Sequence, residues 1–152
     1  MIERAIKARC ALHHKFRSRM YCAVKNGDPY AYGFYSLGVT ATDPKNLDAD
    51  ITRDHEGAGL LPFIYLHALA VRKEHKRHKI GTMLLIDALR RSARFVREVG
   101  IYGLALNAIA DDWRLTLYAK YGFGQRNEMK YPLMIMPGQT LLDLTEGEPL
   151  PT

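Results

Sequence analysis

The order of three segments in the middle of the chain constrains its fold most. Phe63 to Val71 (FIYLHALAV) is a nearly continuous apolar run of strand length, as expected for a strand covered on both faces. After a polar loop, Thr82 to Val99 places Leu85, Ala88, Leu89, Ser92, Val96 and Val99 at helical spacing. A stripe of Arg90, Arg94 and Arg97 lies opposite, and Gly100 is positioned as a C-cap. Ile101 to Ile109 is a second short apolar run. A strand, a long crossover helix and a second strand make a parallel pair. The spacing therefore predicts an α/β fold, a mixed sheet with Phe63 to Val71 at its middle.

The flanking segments add antiparallel strands. Met20 to Lys25 is strand-like, Asn26-Gly27 supplies the residues of a tight hairpin turn, and the aromatic-rich Tyr30 to Leu37 suits a returning strand. Residues 40 to 60 read as a long acidic loop, with one helical turn around Pro44 to Asp48. Asp111 or Asp112 can cap a helix from Trp113 to Lys120 that Gly122 ends, and Gln125 to Tyr131 and Leu133 to Met136 can form a closing pair of strands. With 152 residues, the expected organisation is one domain over 1–138 and a tail over 139–152 rich in Gly, Pro and acids.

Charge is unevenly distributed along this frame. Residues 1–19 carry six basic side chains and one acid, and residues 72–97 carry nine and two, so two segments at +5 and +7 sit on a remainder of −6 within a net +6. Anions are therefore expected at particular places and not over the whole surface. The first basic segment, 2–17, reads as a helix with Ile2, Ile6, Cys10 or His13, and Phe16 along an apolar stripe. Cys10 and Cys22 lack the spacing of a zinc or redox site and are expected to be buried reduced thiols. No apolar run reaches the roughly 20 residues of a membrane span, and no signal-peptide core is present. A cytoplasmic protein without membrane attachment is expected.

The second basic segment begins in the loop Arg72 to Thr82, between the central strand and its helix. The first turn of a helix offers backbone N–H donors and a partial positive charge, so phosphate can bind there. Five cationic side chains surround those donors, and Gly81 would let a phosphate approach the backbone. A solvated basic loop is the alternative. A zinc site from His75 and His78 is disfavoured, because no carboxylate or thiolate ligands cluster nearby and the adjacent lysines would repel the ion; no metal is expected.

Leu66 to Leu89 (LHALAVRKEHKRHKIGTMLLIDAL), followed about thirty residues later by LYAKYGF (Leu117 to Phe123), resembles the GCN5-related N-acetyltransferases. Their pyrophosphate loop reads Gln/Arg-x-x-Gly-x-Gly/Ala. Lys76 stands at the Gln/Arg position, Lys79 at the first Gly and Gly81 at the last. The resemblance implies the family's fold and acetyl-CoA as cosubstrate, its pyrophosphate held by Lys76, Arg77, His78, Lys79, Ile80, Gly81 and Thr82. It also implies that the central strand diverges from the next one, leaving backbone groups near Leu69 and Val71 to pair with the pantetheine and polarise the thioester carbonyl. A lysine at the first glycine position is compatible with this provided its φ is negative. An amine would attack directly, with Tyr118, in the context Tyr118, Gly122 and Phe123, protonating the leaving thiolate from a phenol of unperturbed pKa near 10. Asn107 would lie near the pantetheine or the substrate amine, a satisfied buried amide being the alternative. Candidate bases are His67, Glu74 or ordered water.

Within the family, residues 10–136 resemble the toxins of bacterial toxin-antitoxin pairs that acetylate the α-amine of aminoacyl-tRNA. The resembling segments are GFYSLG (Gly33 to Gly38), LHALAV, LIDALRRSARFVREVGI, LYAKYGF and PLMIMP. The chain begins where those toxins are already in their first helix, Ala68 stands where many carry Arg, and Arg72 replaces their usual Asp. The implied acceptor is a charged tRNA whose phosphates would meet Arg4, Lys7, Arg9, Arg90 and Arg94, with a cognate antitoxin as partner. A homodimer is the expected assembly. A small-molecule or peptide amine acetyltransferase, and a non-catalytic CoA- or RNA-binding module, are the other readings.

Overall fold

A computed structural model describes residues 13, 15, 17–76 and 78–146. The basic segment 2–17, with Arg4, Lys7 and Arg9, lies almost wholly outside the described residues, as does Arg77. Six strands form one mixed sheet: β1 (Arg19–Ala23), β2 (Gly33–Thr42), β3 (Leu61–Val71), β4 (Gly103–Asn107), β5 (Gly124–Gln125) and β6 (Leu133–Pro137), in the order β1-β2-β3-β4-β6-β5. Only β3 and β4 are parallel. The helices are α1 (Ala49–Asp54), α2 (Ile80–Val99), α3 (Asp112–Lys120) and α4 (Gly138–Glu146). Among the described residues no helix is long and apolar enough to cross a membrane.

The crossover helix α2 holds the sheet together. Leu84, Leu85, Ala88, Leu89, Ser92 and Ala93 are buried along one stripe against Tyr35, Ile64, Leu66, Leu104, Leu106 and Met136. Fully burying a leucine removes about 2 kcal/mol of unfavourable hydration, so this stripe anchors β3 and β4 together. Val99 falls outside it and is exposed. Gly100, left-handed at φ 71°, closes the helix through its N–H to Val96 O at 3.2 Å. On the opposite sheet face Ile51, Leu61, Phe63, Ala105 and Ile135 form a smaller core under α1.

Five sequence expectations change. The hairpin is present, but Ala23 pairs with Gly33, so the connection runs through residues 24–32, with the Asn26-Gly27 turn only part of it (Asp28 N–H to Lys25 O, 3.0 Å). The acidic loop holds a 3₁₀ turn at Pro44–Asn46 and then α1, each started by an aspartate cap, Asp43 and Asp48. The strand expected over Gln125 to Tyr131 shortens to Gly124–Gln125. The expected tail contains α4, which buries Leu141 against the main core and binds Arg97 through Glu146. Its short apolar set was masked by neighbouring Gly and acids. Cys22 is exposed on the edge strand β1 instead of buried.

Candidate active site

The central strand outruns its parallel neighbour. β3 and β4 pair from Phe63 with Gly103 to Leu66 with Leu106, after which β3 continues to Val71 while β4 ends at Asn107. The departure begins where the β2–β3 register shifts: Ser36 faces Ala68 and Leu37 faces Leu66, leaving His67 as an extra residue on β3. Such a bulge bends its strand and increases its twist. The His67 ring takes the room that Gly38 leaves, since a Cβ there would stand 2.4 Å from its Nε2. Beyond the bulge, Arg72 N–H donates to Tyr32 O at 2.8 Å. With the register Gly33–Val71 and Tyr35–Leu69, antiparallel alternation turns the backbone groups of Leu69 and Val71 away from β2, toward the side β4 has left.

At the end of that strand the chain makes a 3₁₀ turn over Lys73–His75 and enters α2 through Lys79. Lys79 is left-handed, φ 57° and ψ 13°, contrary to the negative φ expected for a lysine there. It adopts the conformation that a glycine at this position would favour, at a cost of roughly 1–2 kcal/mol. No side chain caps α2, so the first-turn amides of Ile80, Gly81 and Thr82 have no intrahelical acceptor. Ile80 is buried in the core, whereas Lys76, His78 and Lys79 are exposed. A Cβ on Gly81 would meet only Val71 Cγ2, at 3.4 Å. Packing within the chain therefore barely requires that glycine, and a Cβ would project into the space beside the β3 terminus. Uncapped donors, a partial positive helix end and nearby cations are a donor set suited to a pyrophosphate.

Tyr118 lies in the last turn of α3, and its side chain packs against the same core cluster as those of Leu69 and Val71. Its ring stands edge-on to Phe123 at 5.7 Å, and its carbonyl accepts from the Phe123 N–H at 3.1 Å across the turn closed by Gly122. The Tyr-x-x-x-Gly-Phe spacing thus serves to seat Tyr118 against a buried phenylalanine. The phenol is not unperturbed: burial raises its pKa above the usual 10, Arg114 opposing this and Asp111 reinforcing it. It keeps its proton at neutral pH.

Asn107, at the exposed end of β4, has its amide engaged within the protein. It accepts from the Tyr65 hydroxyl and donates to Tyr131 O at 2.9 Å, so the amide is satisfied within the protein but exposed, not buried. The His67 ring lies edge-on to Tyr65 at 4.9 Å, and Glu74 is exposed in the 3₁₀ turn. Arg90 and Arg94 are exposed on α2, while Arg91 is held by Asp87 and Arg97 by Glu146. Among the described residues no group of three His, Cys, Asp or Glu could hold a metal ion. A separate cleft of about 190 Å³, lined by Arg17, Tyr21, Val39, Phe95 and Val99, lies at the other end of α2, away from these groups.

Sequence reading missed the aromatic and carbonyl partners of the Arg72 to Lys79 loop in the 24–32 connection and the Tyr65–Asn107 tie. Each joins residues forty or more positions apart, with no local pattern to mark them.

No protein-family profile and no curated protein matches the sequence. Solved structures do. A Tyr→Phe variant of KacT superposes with a TM-score of 0.75 at 23% identity, over 88% of this chain and 79% of that one. AtaT complexed with acetyl-methionyl-tRNAfMet gives 0.74 at 19%, over 86% and 77%. A Tyr→Phe variant of the AtaT toxin, bound to the C-terminus of the antitoxin AtaR and acetyl-CoA, gives 0.70 at 19%, over 91% and 79%. Over most of its length this chain therefore has the fold of KacT and AtaT, a GCN5-related N-acetyltransferase fold with a mixed six-stranded sheet flanked by helices.

Proposed function

We propose that the chain is an acetyl-CoA-dependent N-acetyltransferase of the toxin type, moving acetyl to the α-amine of an aminoacyl-tRNA. The observation that carries this reading is the uncapped N-terminus of α2 beside the divergent end of β3, where phosphate-binding and amide-pairing groups lie next to each other. AtaT, with the same fold, is seen with acetyl-CoA and with an acetylated aminoacyl-tRNA, which supports the cosubstrate and the acceptor.

Acetyl-CoA, when bound, supplies an activated acetyl thioester. The amides of Ile80, Gly81 and Thr82, with Lys76, His78 and Lys79 around them, take its pyrophosphate. The backbone groups of Leu69 and Val71 pair with the pantetheine amides and donate to the thioester carbonyl, where negative charge grows as the amine attacks. Tyr118 holds a proton on Oη and gives it to the sulfur as the carbon–sulfur bond breaks, while the newly bonded amine nitrogen loses its extra proton to ordered water, His67 or Glu74; the raised pKa of Tyr118 keeps its proton in place beforehand. Asn107 fixes the end of β4 through Tyr65 and Tyr131, holding open one edge of the gap. Arg90 and Arg94 offer exposed cations to an RNA backbone.

Mass spectrometry of reactions containing acetyl-CoA and charged tRNA, polyamines or peptides tests this. Acetyl on the aminoacyl α-amine is expected. Acetyl on polyamine or peptide alone would make the chain a small-amine enzyme, and cosubstrate binding without transfer to any amine would make it a binding module; either overturns the reading.

A further inference from the structure

The connection between β1 and β2 grips the anion loop at its start. Arg72 N–H donates to Tyr32 O at 2.8 Å, and Arg72 Nε donates to Ala31 O at 3.2 Å. The Arg72 guanidinium carbon lies 5.3 Å from the centre of the exposed Tyr30 ring. Three residues on, the His75 ring stacks on Tyr32 with centroids 4.0 Å apart and planes 15° apart. Tyr32 is itself held from behind, its hydroxyl hydrogen-bonded to Asp28, whose carboxylate also accepts from Tyr30 N–H at 2.9 Å. These contacts join residues 28–32 to residues 72–75, and the 3₁₀ turn is closed by His75 N–H on Arg72 O at 2.9 Å.

The anion loop is therefore fixed at two points. Its far end is anchored by the buried Ile80, and its near end has no buried side chain of its own, since the turn Lys73–His75 contains none. What orients that near end is the ring stack and the arginine contacts from the opposite side of β3.

Resting on the acetyltransferase reading, we infer that the 24–32 connection is a clamp for the phosphate-binding loop. Tyr32 is its positioning residue, acting through His75 and Arg72 without touching the cosubstrate. A flat ring stacked on a flat ring restricts both torsions of the histidine. Amides aimed at an anion before it arrives do not have to be ordered when it binds. Removing the stack would thus weaken cosubstrate binding and leave the chemical step alone.

Two readouts on the whole chain decide this. In the free protein, hydrogen exchange of peptides covering 72–82 should quicken about tenfold or more in Tyr32→Ala and in His75→Ala. Peptides covering 61–66 and 103–107 should remain as in the wild type, which excludes general unfolding. Tyr32→Phe, which keeps the ring, should restore slow exchange, and the double variant should be no faster than either single one. In titrations and steady-state assays Tyr32→Ala should raise Kd and KM for acetyl-CoA about tenfold with kcat at saturation unchanged. Unchanged exchange over 72–82 overturns the clamp, as does faster exchange with unchanged acetyl-CoA affinity. A wild-type chain that does not bind acetyl-CoA overturns the acetyltransferase reading instead, while the exchange experiment still decides the clamp.

Discussion

Replacing Lys79 by glycine should make the protein more stable. Lys79 is the only described non-glycine residue with positive φ, and its left-handed backbone costs roughly 1–2 kcal/mol that glycine would not incur. Glycine gives part of this back through its larger unfolded-state entropy, roughly 0.5–1 kcal/mol, so the net gain is about 1 kcal/mol. Nothing offsets it: the Lys79 side chain makes no capping bond, and its carbonyl, which accepts from Met83 N–H at 3.0 Å, survives the substitution. For a chain of this size that gain corresponds to about 3 °C in Tm. Lys79→Ala is the control, since it removes the same side chain and keeps the strain, and it should leave Tm within about 1 °C of the wild type. Calorimetry or thermal unfolding by circular dichroism measures both. A glycine variant no more stable than the alanine variant would refute the strain argument. In acetyl-CoA titrations the two variants should bind alike, because both lose the same ammonium and retain the amides of Ile80 to Thr82; a marked preference for either would show that the loop's backbone changes with the substitution.

Tyr118→Phe should leave acetyl-CoA affinity nearly unchanged and lower turnover about hundredfold, the scale of one general acid; unchanged turnover would remove Tyr118 from the mechanism. Gly81→Ala should change stability by less than about 0.5 kcal/mol, because its Cβ meets only Val71 Cγ2 at 3.4 Å, yet weaken acetyl-CoA binding in calorimetric titration. Gly103→Ala, by contrast, would place a Cβ 2.3 Å from Met136 O and 3.1 Å from Pro137 Cα, so urea unfolding should show a loss of about 3 kcal/mol or more as β4 and β6 are forced apart. At Asp87, burial favours the neutral acid, but hydrogen bonds from Tyr35 and Arg91 outweigh it and hold the carboxyl below its usual value. A depressed carboxyl contributes stability that is present above the unfolded value near 4 and is lost as pH falls through the lower folded value. Asp87→Asn should lower Tm at pH 7 and reduce its dependence on pH below about 4.

The parts of this molecule legible in its sequence are those with a local cause. The β3–α2–β4 unit shows itself in two apolar runs flanking an amphipathic helix, and its helix ends at the glycine marked as its C-cap. The helix over Asp112–Lys120 starts at one of the two aspartates named for it, Asp111, whose carboxylate accepts from Arg114 N–H at 3.0 Å. What stayed hidden depends on partners distant in the chain. The divergence of β3 from β4 follows from a bulge at His67, and the bulge is tolerated because Gly38, on another strand, leaves room for the imidazole. The conformation of Lys79 could not be read from its identity, since lysine disfavours the left-handed region. The raised pKa of Tyr118 likewise comes from burial that no spacing rule encodes. The amphipathic set of α4 is short, three leucines among glycine, glutamine and acids, and reads as a tail until the core it covers is in view.

The central claim is that acetyl-CoA lies along the divergent end of β3 with its pyrophosphate on the N-terminus of α2. Titrating acetyl-CoA into isotope-labelled protein and following backbone amides by NMR tests it most directly. Saturable shifts are expected at Leu69, Val71 and Ile80 to Thr82, with little change at the cleft lined by Arg17, Tyr21 and Phe95. Shifts centred on that cleft, or on residues 43–59, with Leu69 to Thr82 unmoved, would contradict it.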